Sequence, residues 1–208
     1  MRIGVIGTGN MGRTLAGLFA RHGHDVLIGS REGEKGAAVS REIGSGVKGG
    51  TIREAAAHGD AVLLAVHFTA AKEAVLAAGA LDGKVLLECV NPLSQDFLTL
   101  TVGHTTSAAE QIASWVPGAR VVKVFNHVFG QTLAEPVYGS VRATAFYCGD
   151  DAAAKQVASA LIGELGFDPV DAGTLDVARY LEPLAELVIQ LGYKQGLGPA
   201  FGLALLRR

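Results

Sequence analysis

This 208-residue chain has two cysteines, no run of like charge and no unbroken apolar stretch long enough to span a bilayer, and each lack closes a class of function. Cys89 in "LLECV" and Cys148 in "AFYCGD" lie in separate strand-like apolar runs. The Cys-x-x-Cys spacing of a metal or redox motif is therefore missing, and buried reduced thiols are the better reading. No pair of histidines has helix-spaced ligand geometry and no His/Cys/Asp cluster stands out, so no metal is expected. Lys plus Arg number 18 against 20 Asp plus Glu, and the net charge of -2 is dispersed, which argues against nucleic acid and membrane surfaces as partners. The most apolar stretch, Ala61 to Leu81, is interrupted by His67, Lys72 and Glu73, and no basic n-region and h-region follow Met1. A cytoplasmic protein acting on a small molecule is the expectation. G-x-S-x-G is also absent, so nucleophilic hydrolysis has no support.

What is present is an alternation. The runs "RIGVIG", "DVLIGS", "AVLLAV", "KVLLEC", "RVVKVF" and "TAFYCG" read as strands, with Ala/Leu-rich helical patterns between most of them. The strands are apolar throughout rather than every second residue, as in a sheet covered on both faces. The spacing thus predicts a doubly wound α/β fold with a mostly parallel sheet. Capping boxes at Thr51-Ile-Arg-Glu54 and Ser107-Ala-Ala-Glu110 mark two helix starts, and Asp151 is a third candidate cap. Leu181, Leu184, Val188 and Leu191 recur at helical spacing near the end. Residues 1–150 are read as the sheet domain, and 151–208 as a small α/β extension, helical at its end, that packs on the sheet or on a second copy of the chain.

The stretch Gly7-Thr8-Gly9-Asn10-Met11-Gly12 fits G-x-G-x-x-G. It follows a strand, opens a helix and begins a βαβ unit, the context that turns a weak motif into a Rossmann-type dinucleotide site. Gly7 permits the turn, Gly9 admits the pyrophosphate to the backbone, and Gly12 allows close helix packing. At the end of the second strand an NAD site carries an acid for the ribose 2′-hydroxyl; here "IGSREGEK" offers Ser30 and Arg31, with Lys35 four residues beyond. A guanidinium, a hydroxyl and an ammonium suit a 2′-phosphate, so the expected nucleotide is NADP.

Ligands of open α/β sheets bind beyond the carboxyl ends of the strands. Those ends supply Val66, His67 and Phe68, then Asn91 and Pro92, then Asn126, His127, Val128 and Phe129. His67 and His127 are candidate general acids because histidine titrates near neutrality, against the commoner role of orienting or packing residue. Val66, Phe68, Pro92, Val128 and Phe129 suit the walls of a dry pocket. Hydride transfer asks for no nucleophile, only two rings held face to face.

The residues "IGVIGTGNMG", the "GSR…K" pattern, "NPL", "TSAAEQIA", "CGDD" and "DAGTLDVARYLEPL" together resemble the NADPH-dependent coenzyme F420 reductases over nearly the whole chain. The resemblance implies a homodimer in which Thr8, Asn10, Met11, Ser30, Arg31 and Lys35 hold NADPH, with the nicotinamide near Val66, His67 and Asn91. It also implies a deazaflavin pocket at "FNHVFG", with Asn126 orienting the ring, and at the glycine-rich tail around Leu197. "FNHV" is similar as well to the reductase domain of six-transmembrane metalloreductases. That similarity makes a flavin or ferric reductase one alternative; another, which the fold alone does not exclude, is an NADPH-binding sensor without turnover. A relative of pyrroline-5-carboxylate reductase ranks lower, since fewer than sixty residues follow Asp150.

Overall fold

The computed structural model describes residues 1–208. In chain order the elements are β1 (Arg2–Ile6), α1 (Asn10–Arg21), β2 (Asp25–Ser30), α2 (Gly33–Ile43), β3 (Lys48–Thr51), α3 (Ile52–His58), β4 (Ala61–Leu64), α4 (Phe68–Ala77) and β5 (Val85–Glu88). There follow α5 (Ala108–Trp115), β6 (Arg120–Val124), the short hairpin β7 (Val137–Tyr138) and β8 (Val141–Arg142), β9 (Thr144–Gly149), α6 (Ala152–Glu164), β10 (Asp168–Gly173) and α7 (Ala178–Ile189), which runs on into a π-helical turn, Gln190–Lys194. No helix is long and apolar enough to cross a membrane.

Eight strands form one sheet in the order β10-β9-β6-β5-β4-β1-β2-β3. From β6 to β3 all pairs are parallel, and the order reverses at β1, which lies between β2 and β4. That reversal opens the crevice in which such sheets bind ligands. The parallel pattern then breaks: β9 runs antiparallel to β6, and β10 is parallel to β9, so residues 168–173 complete the same sheet. The loop and hairpin between β6 and β9 return the chain without a crossover helix, which permits the reversed direction.

Alternate residues of each strand feed two separate cores. Ile3, Val5, Leu63, Leu87, Val122 and Val124 face α1 and α6, where they meet Leu15, Phe19, Leu161 and Ile162. Ile6, Val62, Leu64, Leu86 and Val121 face α3, α4, α5 and α7, where they meet Ile52, Val75, Ile112 and Leu181. Each such side chain withdrawn from water contributes about 1.5–3 kcal/mol, so burial on both faces accounts for the unbroken apolar strands.

Strand β3, "KGGT", is absent from the sequence reading. A Cβ at Gly36 of α2 would run into the carbonyl oxygen of Gly50, and one at Gly49 into that of Gly36. The helix packs backbone to backbone on this edge strand, which needs glycine and so erases the β-branched signal. Thr51 forms both halves of its capping box with Glu54. Ser107 accepts from the Glu110 N–H, but the Glu110 carboxylate turns to Ser107 Oγ and Arg179, so that box is only half closed. Asp151 caps α6 through the Ala154 N–H at 2.7 Å.

Candidate active site

The nucleotide cleft grows out of the β1–α1 turn. Gly7, at φ 120°, and Gly12 are required by packing: a Cβ on Gly7 would strike the Ala65 carbonyl, and one on Gly12 the Gly7 carbonyl. Gly9 is different, since a Cβ there would meet no protein atom within 4 Å. Its backbone faces the open cleft, where a diphosphate can approach it closely. Helix α1 begins just after Gly9, which supplies no side-chain cap, and has no acid in its first turn.

The first turns of α1, α2 and α4 all line this cleft, through Asn10, Lys35 and Phe68, and none has a side-chain cap. Helix α3, whose first residue Ile52 also reaches the cleft, is capped by Thr51; away from the cleft α5 and α6 are capped by Ser107 and Asp151, while α7 has no side-chain cap. Uncapped N–H groups converging on one cavity suit an anionic ligand. The cleft encloses about 890 Å³ and takes in Gly7, Thr8, Gly9, Asn10, Met11, Ser30, Arg31, Lys35, Val66, His67 and Asn91.

Ser30 closes β2, nearly buried, with Arg31 and Lys35 beside it on the cleft wall. Neither cation forms an ion pair, although Glu32 and Glu34 are adjacent in sequence. A guanidinium and an ammonium uncommitted beside a buried hydroxyl fit a ribose 2′-phosphate, and β2 ends in Ser30 rather than in the acid that accepts a 2′-hydroxyl.

A second cleft, about 510 Å³, opens against the first. The two share Asn10, Met11, Cys89, Asn91 and Phe97. Phe125, Val128, Phe129, Val188, Ile189 and Tyr193 make its walls largely apolar. Asn126 and His127 border it too, but their polar atoms point into the protein. Asn126 Nδ2 donates to Asn91 Oδ1 at 3.0 Å and to the Leu181 carbonyl at 2.8 Å, while Asn91 Nδ2 donates to the Asn126 carbonyl at 2.7 Å. The amide expected to orient an acceptor ring thus locks the ends of β5 and β6 to α7.

His127 Nε2 accepts from the Phe146 N–H at 3.3 Å, which places the proton on Nδ1, 3.3 Å from Asn126 Oδ1. Burial lowers its pKa to about 4, with Lys123 adding to the effect and the Thr144 carbonyl opposing it. It is neutral at pH 7 and placed as an orienting residue rather than an acid. His67 caps no backbone group, is exposed, and lies 5.4 Å from the Phe97 ring. The Cys89 thiol, pushed up to about 12 by burial, stays protonated.

Three expected residues line neither cleft. Gly12 serves by packing, as above. Pro92 is buried, and its carbonyl accepts from Thr101 N at 2.7 Å and Oγ1 at 2.9 Å, closing the loop that follows β5. Leu197 is 65 % exposed and stands between Gly196 and Gly198, at φ 76° and 73°, outside both clefts. Tyr193, from the π-helical turn, stands in the wall of the second cleft.

Two features escaped the sequence reading. One is the loop 93–101, which carries Phe97 to the junction of the clefts. The other is an ionic cluster with no exposed surface. Lys123 Nζ lies 2.8 Å from Glu88 Oε2, 3.0 Å from Glu182 Oε1 and 2.7 Å from the Val90 carbonyl. Glu182 also receives the Ala108 and Ala109 N–H groups at the start of α5, and Glu88 receives the Val90 N–H. The signal was a charge set inside an apolar strand, in "LLECV" and "VVKVF". Burial pushes the Glu88 carboxyl up, against the pull of Lys123.

Comparison with known proteins places these clefts in context. Residues 2–92 match the family model described as NADP oxidoreductase, coenzyme F420-dependent. The F420-dependent NADP reductase of Methanothermobacter marburgensis is 31% identical over 93% of this chain and 93% of its own. Metalloreductase STEAP3 of Rattus norvegicus is 30% identical over 88% of this chain, which spans only 36% of that protein. A crystal structure from Arthrobacter sp. FB24, described as a candidate F420-dependent NADP reductase, superposes with a TM-score of 0.90 at 33% identity over 99% of both chains.

Proposed function

The chain belongs to the F420-dependent NADP reductase family, and on that premise we propose that it is an oxidoreductase passing a hydride between NADP(H) and coenzyme F420. The observation that carries this reading is the shared wall of the two clefts, which brings a nucleotide site and an apolar ring site into contact at Asn10, Met11, Cys89, Asn91 and Phe97.

Bound NADPH and the deazaflavin supply the donor and the acceptor of the hydride. The chain's own residues bind and orient them. Ser30, Arg31 and Lys35 hold the 2′-phosphate, and the uncapped starts of α1 and α2 receive the diphosphate and its neighbours. Val66, His67 and Asn91 flank the nicotinamide, His67 by contact. Asn91 and Asn126, bonded to one another, fix the strand ends, while Val128, Phe129 and Tyr193 keep water from the rings. Preorganised contact of this kind is a large part of what a hydride-transfer enzyme contributes.

The same reading makes the protein a cytoplasmic homodimer. Tyr180 and Leu187 of α7 are apolar and outward, 73% and 54% exposed, with Leu184 between them partly buried against the core, and sedimentation should return twice the monomer mass.

An anaerobic panel tests the chemistry: NADPH oxidation measured with coenzyme F420, FMN, FAD, riboflavin and ferric chelates. Turnover with F420 is the expected result. Activity confined to flavins or ferric chelates makes the chain a flavin or ferric reductase, as the metalloreductase similarity allows, and binding of NADPH without turnover makes it a sensor.

A further inference from the structure

Four residues other than glycine hold positive φ: Ser45, Phe97, His104 and Phe125. Ser45 and His104 are exposed polar loop residues. Phe97 and Phe125 are bulky aromatics, for which left-handed backbone is a steric outlier, and both line the second cleft. Phe125 is explained by the core: it is buried, with its ring 6.2 Å from Phe167. Phe97 is not explained in that way, since 45% of it is exposed.

The turn around Phe97 is firmly built. The Ser94 N–H bonds the Thr99 carbonyl at 2.8 Å, and the Phe97 N–H bonds the Ser94 carbonyl at 3.0 Å. Asp96 Oδ1 accepts from Ser94 Oγ at 2.5 Å and from the Leu98 N–H at 3.1 Å. Gln190, on the π-helical turn after α7, donates to the Leu98 carbonyl at 2.8 Å. A left-handed position in such a turn favours glycine or asparagine. Here it carries a large apolar ring at φ 60°, aimed at the junction of the two clefts and 5.4 Å from His67.

We propose that Phe97 is the ring-positioning residue of this enzyme: its side chain closes the junction of the clefts, setting the nicotinamide and the acceptor ring against each other and excluding water. The inference rests on the reading that those two rings occupy the two clefts. Its strained backbone is retained because glycine, which would relieve the strain, would leave the junction open. Gln190 and Asp96 hold the loop in that position, Gln190 from outside both clefts and Asp96 at the edge of the second.

Phe97→Gly and Phe97→Tyr, assayed beside the wild type, test this. Phe97→Gly is expected to melt at or above the wild-type temperature, by up to about 2–4 °C, because strain is lost and little core is removed. Its kcat/KM for F420 is expected to fall by roughly 10- to 100-fold, the scale of a misplaced reacting pair, while Phe97→Tyr recovers most of it. The Kd for NADPH should stay within about threefold, since charge-assisted bonds to the 2′-phosphate carry the affinity. The fluorescence of bound NADPH should move toward that of the free nucleotide as water reaches the nicotinamide. Wild-type kcat/KM and unchanged fluorescence in Phe97→Gly overturn the proposal. So does a large loss of melting temperature in that variant, which would make Phe97 a stability residue. Failure of the wild type to reduce F420 instead overturns the functional reading, and the melting and fluorescence results then decide the role of Phe97 alone.

Discussion

Arg31 is a residue whose chemistry is fixed by what surrounds it. It stands at the carboxyl end of β2 beside buried Ser30, without a carboxylate partner. Arg31→Asp should raise the Kd for NADPH by roughly 10- to 100-fold, the worth of charge-assisted bonds to one anion, and leave NADH binding unchanged or improved. Titration of both nucleotides checks it, and equal discrimination before and after the change would remove Arg31 from the site. His127 carries a pH prediction. Its folded pKa is depressed to about 4, below the ordinary 6.5, so the unfolded chain takes up a proton first as pH falls. Stability is therefore full above pH 6.5 and declines between 6.5 and 4, by on the order of 3 kcal/mol. Urea midpoints across that window should show the slope, and His127→Gln should flatten it.

Among the elements, α7 is tied to the sheet by charge as well as by its apolar face. Glu182 reaches Lys123 on β6 and the first N–H groups of α5, while Lys123 reaches Glu88 on β5. Lys123→Met leaves two carboxylates buried without their cation and should lower unfolding free energy by about 3–5 kcal/mol. Adding Glu182→Gln should restore part of it, since the remaining carboxylate is then less crowded; equilibrium urea unfolding reads both. The elements legible from sequence were those whose signal is local: apolar strands, the glycine turn, and the caps Thr51 and Asp151. Strand β3 was hidden by Gly49 and Gly50. The ionic cluster was hidden by distance, because Glu88, Lys123 and Glu182 meet only through the fold. Loop 93–101 was hidden because hydrogen-bonded turns leave no periodicity, so Phe97 looked like any other aromatic.

At the scale of the whole molecule, the alternation of strands and helices gave the layered architecture and the switch point, and hence the nucleotide site. It could not give the direction of β9, since strand pattern does not encode which way a long return loop delivers the chain. Nor could spacing show that the wall segments after β5 and β6 are bonded to each other through Asn91 and Asn126. That the two clefts have five residues in common has a kinetic consequence. The partners must be present together, because no side chain at the junction is placed to store a hydride between visits. Initial-rate plots at several fixed acceptor concentrations should intersect, and parallel lines would exclude direct transfer. Moreover, whichever ring arrives first completes the wall against which the second one packs, so each substrate should lower the dissociation constant of the other by the same factor.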